Sequence, residues 1–200
     1  MNARFLVAAC ALLSSVGVAG AQIIVDPDPR FSSIDPVVVG NPIGYAIGGS
    51  PPGFDVLMRD QNQAPRPGAF ITLRFPAAMK LYAIQNSGTT VDCVQKTLSR
   101  VTDAQGRANF AARVGGWTNG NEIEVAADGV VLGYVKGRSL DYNADGRTSL
   151  GDFVTFSDDF LNQVTEPKSD FDLNGSTGLG DFVLFSWIFL ESAPPQVTCP

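Results

Sequence analysis

LDYNADGRTSLGDFVTFSDDFLN, residues 140–162, and SDFDLNGSTGLGDFVLFSWIFLE, residues 169–191, are two copies of one pattern set 29 residues apart. With Asp141 as position 1, the first copy puts Asn143 at 3, Asp145 at 5, Gly146 at 6, the Arg147 carbonyl at 7, Ser149 at 9 and Asp152 at 12. The second copy puts Asp170, Asp172, Asn174, Gly175, the Ser176 carbonyl, Gly178 and Asp181 in the same places. Oxygen donors therefore recur at alternate positions, a glycine follows the third of them, and an acid closes the unit from the start of a helical pattern.

This is the ligand order of a calcium loop of the EF-hand kind. A hard cation of that size takes six to eight oxygens at about 2.3–2.6 Å, positions 1, 3 and 5 point inward as the loop wraps it, and glycine at 6 permits the sharp turn. Gly178 brings no side chain at position 9, so a water would fill that vertex in the second loop. Each loop concentrates three carboxylates, which repel unless a divalent cation neutralises them. The competing reading is a pair of helix-capping turns in which Ser149 or Asp152 caps a helix. Capping requires one such residue and leaves the twelve-residue regularity, twice over, without a cause. Asn174-Gly175-Ser176 also matches a glycosylation acceptor, but a metal ligand explains Asn174 better.

DYNADGRTSLGD and DFDLNGSTGLGD both end in Asp where the common EF-hand ends in Glu, and each precedes a single helical pattern. In this the chain resembles the type I dockerin domain, a pair of calcium loops each followed by one helix. The resemblance implies a small C-terminal α domain over residues 137–193, followed by a tail at 194–200, with two calcium ions held by the positions named. It also implies a cohesin as partner, contacted in many dockerins through small hydroxyl residues at loop positions 10 and 11. This chain has Leu150-Gly151 and Leu179-Gly180 there.

Phe153, Phe156 and Phe160 in copy one, and Phe182, Phe185 and Phe189 in copy two, fall at helical spacing and are expected in the core. Thr155, Asp158 and Asp159 of copy one become Leu184, Trp187 and Ile188 in copy two. Copy one is thus expected to have a solvated outer face and copy two an apolar one, which would either dock on the chain's own β domain or bind a separate protein. A unit of this size has a marginal core and usually needs a staple. At millimolar calcium and a dissociation constant of about 10 μM, each site would add about 2.7 kcal/mol, and two sites about 5 kcal/mol.

Upstream the pattern is strand and turn. Phe54 to Asp60 and Ala69 to Phe75 are strand-like runs joined by the turn-rich stretch Gln61 to Gly68. Glu122 to Ala127 and Val130 to Val135 flank Asp128-Gly129, which suits a tight hairpin. Asp103 to Gly106 is a further turn that feeds a strand from Ala108 to Val114. Short strands at this spacing imply a β-sandwich over residues 22–136. Through RDQNQAPRPGAFITLRF and VTDAQGRANF the segment resembles bacterial Ig-like modules of the invasin type. That resemblance implies a spacer or adhesion element. The Pro-rich approach from Asp26 to Pro52 suits edge segments.

Arg4, the apolar run from Phe5 to Val18 and Ala19-Gly20-Ala21 read as a signal peptide, residues 1–21, removed near Ala21 to give a secreted, extracellular or periplasmic protein. Val7-Ala8-Ala9-Cys10 also has the look of a lipoprotein box, but cleavage there would leave too short an apolar core. Export leaves Cys93 and Cys199 in an oxidising compartment, where an even pair favours a disulfide over two free thiols.

The chain of 200 residues carries 14 Lys and Arg against 20 Asp and Glu and has no histidine, which excludes a histidine-based triad, zinc site or pH switch. Its net charge of -6 gives no footprint for nucleic acid, and no apolar run after the signal is long enough to span a membrane. Asp55, Asp60, Asp92, Glu122 and Glu124 could supply a hydrolase's acid and base, but solvated strand and turn positions explain all five. Trp117 and Tyr45 could stack on a sugar ring, although packing is the simpler role. The expectation is a non-enzymatic, calcium-binding structural or interaction protein. The alternative is a cohesin-binding component of a polysaccharide-degrading assembly, with the sandwich as spacer or carbohydrate-binding module.

Overall fold

A computed structural model of the chain describes residues 27–47, 53–120, 122–162, 168–191 and 195–200. The expected signal peptide lies outside the described residues. Among the described residues eleven strands precede two C-terminal helices: β1 (Ser33–Ile34), β2 (Val37–Gly40), β3 (Phe54–Leu57), β4 (Phe70–Arg74), β5 (Met79–Leu81), β6 (Thr90–Asp92), β7 (Thr97–Val101), β8 (Arg107–Phe110), β9 (Val114–Gly116), β10 (Ile123–Ala127), β11 (Val130–Ser139), α1 (Leu150–Asn162) and α2 (Leu179–Leu190). No described helix is long and apolar enough to cross a membrane.

Six strands form a sheet in the order β2-β11-β10-β4-β7-β6; β1-β3-β8 and β5-β9 form two smaller ones. Burial alternates along β3, β4, β8 and β10, as a period-2 pattern with one covered face requires. Phe54 and Val56 of β3, Ile71 and Leu73 of β4, Leu98 of β7, Phe110 of β8 and Val125 of β10 meet in a single apolar cluster. At about 1.5–3 kcal/mol for each large side chain removed from water, this cluster is the main source of stability for the β region.

Asp128 and Gly129 make the expected hairpin between β10 and β11, with Ala127 opposite Val130 and φ of 48° and 84° at the two turn residues. Phe54–Leu57 and Phe70–Arg74, read from sequence as consecutive strands of one motif, instead belong to different sheets: β3 pairs with β1 and β8, and β4 with β10 and β7. The turn-rich stretch between them carries the chain from one sheet to the other. The run from Ala108 to Val114 is likewise divided between β8 and β9. β1 and β2, from the Pro-rich segment, both lie at sheet edges.

β11 links the β region to the acidic loops. Its first half pairs with β10, and its second half, Lys136 to Ser139, runs parallel to β2. Leu140 then donates its N–H to the Gly40 carbonyl, and the Asp141 carbonyl accepts the Gly116 N–H at 2.7 Å. Gly115 of β9 lies so close to the first loop that a Cβ there would come within 2.8 Å of Ala144 Cα.

The helices pack on a second apolar cluster that contains Phe156, Phe171, Phe185 and Ile188 with Val39, Ile47, Leu140 and Tyr142. Phe156 is its centre, with Phe185 at 5.1 Å and Phe171 at 6.4 Å between ring centroids. Phe153 and Phe182, expected in the core, are 38% and 40% exposed, because they stand on the outer side of the helix pair. The apolar face of α2 does turn inward: Ile188 is buried, Leu184 packs against the cluster, and Trp187 meets Tyr45 edge-on with ring centroids 4.2 Å apart. Asp159 is not on a solvated face. It is buried, pairs with Lys168 Nζ at 2.8 Å and accepts the Ser169 hydroxyl at 2.5 Å, which compensates its charge.

Cys93 and Cys199 form a disulfide across 106 residues. The tail beside it runs along the end of β5, with Cys199 N–H on the Leu81 carbonyl and Ala83 N–H on the Val197 carbonyl, both at 2.8 Å.

Candidate metal centre

The two loops are wired alike from the backbone upward. At position 1, Asp141 accepts the N–H groups of Asp145 (3.1 Å) and Gly146 (2.9 Å), and Asp170 accepts those of Asn174 (3.0 Å) and Gly175 (3.2 Å). At position 3, Asn143 Oδ1 and Asp172 Oδ1 accept the N–H of position 5. At position 5, Asp145 and Asn174 accept the N–H of position 7, Arg147 and Ser176. Position 4 is left-handed in both, Ala144 at φ 55° and Leu173 at φ 61°, and position 6 is glycine at φ 98° and 96°. These left-handed residues turn each loop back on its own carboxylates.

Position 12 joins the loop to its helix. Asp152 accepts the Tyr142 N–H at 2.8 Å with Oδ1, and the N–H and hydroxyl of Ser149 at 2.8 and 2.9 Å with Oδ2. Asp181 accepts the N–H groups of Phe171 (2.6 Å), Asp172 (3.0 Å) and Gly178 (2.7 Å). A helix cap alone would use only the oxygen facing Ser149 or Gly178. Here the other oxygen of each acid holds the first turn of the loop, so the unit closes on itself from both ends.

Each position 1 acid is also held by a residue outside its loop. Tyr82, which follows β5, donates its hydroxyl to Asp141 Oδ2, and Lys80 Nζ lies 3.5 Å from the Ala144 carbonyl. Arg138, in β11, pairs with Asp170 Oδ2 at 3.1 Å and donates to the Asp170 carbonyl. Tyr142 and Ser169 share a hydrogen bond of 2.5 Å that joins the loops to one another. The tail seals the first loop, since Gln196 donates its N–H to the Gly146 carbonyl at 2.9 Å and leaves no room for a Cβ there.

Of the ligand candidates, Asp141, Asp152, Asp170 and Asp181 are buried, while Asn143, Asp145, Arg147, Asn174 and Ser176 lie exposed on the rims. Asp170, Asp172 and Asp181 bring carboxylate oxygens within 4.8 Å of one another. Two ligands at 2.3–2.6 Å from one ion are never more than about 5 Å apart, so this spacing fits calcium. In both loops the position 3 and position 5 side chains also meet, Asn143 donating its amide to Asp145 at 3.1 Å and Asn174 donating its amide to Asp172 at 2.9 Å. The donors in both loops are all oxygens, which matches a hard cation and excludes a thiolate or imidazole site.

The electrostatics point the same way. Burial, reinforced by Asp152, pushes the Asp141 carboxyl up to about 6 against the opposing hydrogen bonds from Tyr82, Gly146 and Asp145. Burial also raises the Tyr82 hydroxyl, helped by Asp141, Asp145 and Asp152. Asp172 is raised by burial and by Asp181 and Asp170 beside it. At all three groups burial is the largest cause and neighbouring carboxylates add to it.

Tyr82, Arg138, Asp159 and Lys168 escape sequence reasoning. The alignment of Asp159 with the apolar Ile188 was the available sign that its position is buried. The acids considered for catalysis have other partners: Asp55 pairs with Arg107 at 3.0 Å, Glu124 with Arg74 at 3.9 Å, and Asp60 and Asp92 accept N–H groups of their own turns. Trp117 lies under Lys168 Nζ at 5.6 Å, and Glu122 shares a surface cavity with it. Comparison of the chain with protein-family models, curated proteins and solved structures finds no match in any of the three.

Proposed function

We propose that the chain is a secreted or envelope-associated, non-enzymatic structural or interaction protein in which two calcium ions stabilise a dockerin-like module against an Ig-like β-sandwich. The observation that carries this reading is the identical wiring of the two loops, in which every acid is oriented by backbone N–H groups and position 12 reaches back to the loop's first turn. In this reading Asp141, Asn143, Asp145, the Arg147 carbonyl, Ser149 and Asp152 hold one ion, and Asp170, Asp172, Asn174, the Ser176 carbonyl and Asp181 the other. The ion supplies positive charge where buried carboxylates repel. The contacts of Trp187 and Ile188 with Tyr45 and Val39, and the link from Tyr82 to Asp141, would then make calcium occupancy a property of the whole chain.

Far-ultraviolet circular dichroism and melting with excess chelator test this. Helicity and melting temperature should both fall, since two sites with dissociation constants of about 10 μM would contribute about 5 kcal/mol at millimolar calcium. Curves unchanged by chelation would overturn the reading. The alternative, a cohesin-binding role, would show as calcium-dependent capture by a cohesin.

A further inference from the structure

The inner faces of α1 and α2 are covered; their outer faces are not. Leu150, Phe153 and Leu161 of α1, with Leu179, Phe182 and Leu190 of α2, are between 38% and 80% exposed. They wall two adjacent grooves that the 29-residue repeat exchanges: Leu150 and Leu190 bound one, their counterparts Leu179 and Leu161 the other, and Phe153 and Phe182 stand in both. No charged side chain lines either groove.

We propose that a second copy of this chain covers this face, the two helix pairs closing into a four-helix bundle. At about 180 Å² for a fully exposed large side chain, the six residues present on the order of 700 Å² of apolar surface. That exceeds the roughly 300–600 Å² of the largest patch on a typical monomer and approaches the about 800 Å² each partner gives a standard interface. The interchange of the two linings by the repeat is what selects a second copy. An isologous interface needs a surface complementary to itself, and here each groove has an equivalent groove and equivalent leucine ridges to receive. The absence of charge from the grooves keeps the mutual repulsion of two chains of net charge -6 away from the contact. This inference rests on the helix faces and not on what the loops bind.

The test is the mass of the chain in solution, by light scattering in millimolar calcium from micromolar concentration upward. The wild-type chain should run at about twice the monomer mass. Leu161→Lys with Leu190→Lys should halve that mass with helicity retained, since lysine is tolerated at the helix C-termini, while melting loses its dependence on chain concentration. A wild-type chain monomeric throughout, or a dimer that survives the double substitution, would overturn the proposal. Repeating the wild-type measurement after chelation separates the readings: dimer and helicity lost together are expected of a metal-supported bundle, whereas a dimer with intact helices contradicts the metal reading and supports this one.

Discussion

Tyr82 donates its hydroxyl to Asp141 across 59 residues of sequence, so the residue that follows β5 holds the first acid of the first acidic loop. The oxygen it reaches also accepts the Gly146 N–H, and both partners are buried. The β region therefore shapes the first loop from outside, as Arg138 does the second through Asp170. Tyr82→Phe keeps the ring and removes only the donor. It is expected to cost about 1.5–3 kcal/mol, the usual range for a hydrogen bond to a charged group, read as a shift in the denaturant midpoint. A loss below about 0.5 kcal/mol would mean that the contact contributes little.

Ile188 is fully enclosed in the cluster that contains Val39 and Ile47. Ile188→Ala should cost about 2–5 kcal/mol through lost burial and the cavity left behind. Because the cluster spans strand and helix residues, strand and helix signals should fall in one transition at the lower midpoint. Two separated transitions, with the strand signal unmoved, would show that the helices fold independently of the β region.

If the first loop holds calcium, protons compete with it at Asp141. Its carboxyl titrates at about 6 in the folded chain against 3.8 ordinarily, so the folded state binds that proton more tightly than the unfolded one. In the chelated chain its contribution to stability is complete below pH 3.8 and is lost as pH rises through about 6. Calcium requires the ionised form, so affinity at the first loop should be constant above about 7 and fall about tenfold per unit below 6. Calorimetric titration of calcium across this range checks it, and a pH-independent affinity down to 5 would contradict it.

The Cys93–Cys199 bond closes a loop of over a hundred residues and fastens the tail that seals Gly146. Replacing both cysteines with serine should destabilise the chain by about 4–5 kcal/mol in the chain-entropy account and weaken calcium binding at the first loop more than at the second. Equal affinities in the oxidised and cysteine-free chains would separate the tail from the site.

What could be read from the sequence was what is local. Both acidic loops are closed by hydrogen bonds spanning ten residues or fewer, and the Asp128-Gly129 hairpin is fixed by two residues that accept positive φ. Helix existence followed from the phenylalanine spacing, but whether each phenylalanine is covered did not, because Phe153 and Phe182 face away from the β region while Phe156 and Phe185 face it. Long-range pairing was invisible: no local feature of Val37–Gly40 names β11 as a parallel partner, and the loop after Phe54–Leu57 fits a hairpin as well as a crossover. Asp159 is illegible in the sequence for a different reason. A carboxylate on a helix is usually solvated, and only the fold brings Lys168 and Ser169 to it.

Calorimetric titration of the chelator-stripped chain with calcium tests the two-ion reading most directly. Two ions bound per chain, with helicity rising as they bind, is the predicted result. No stoichiometric uptake at millimolar calcium, with the dichroism spectrum unaltered, would contradict it.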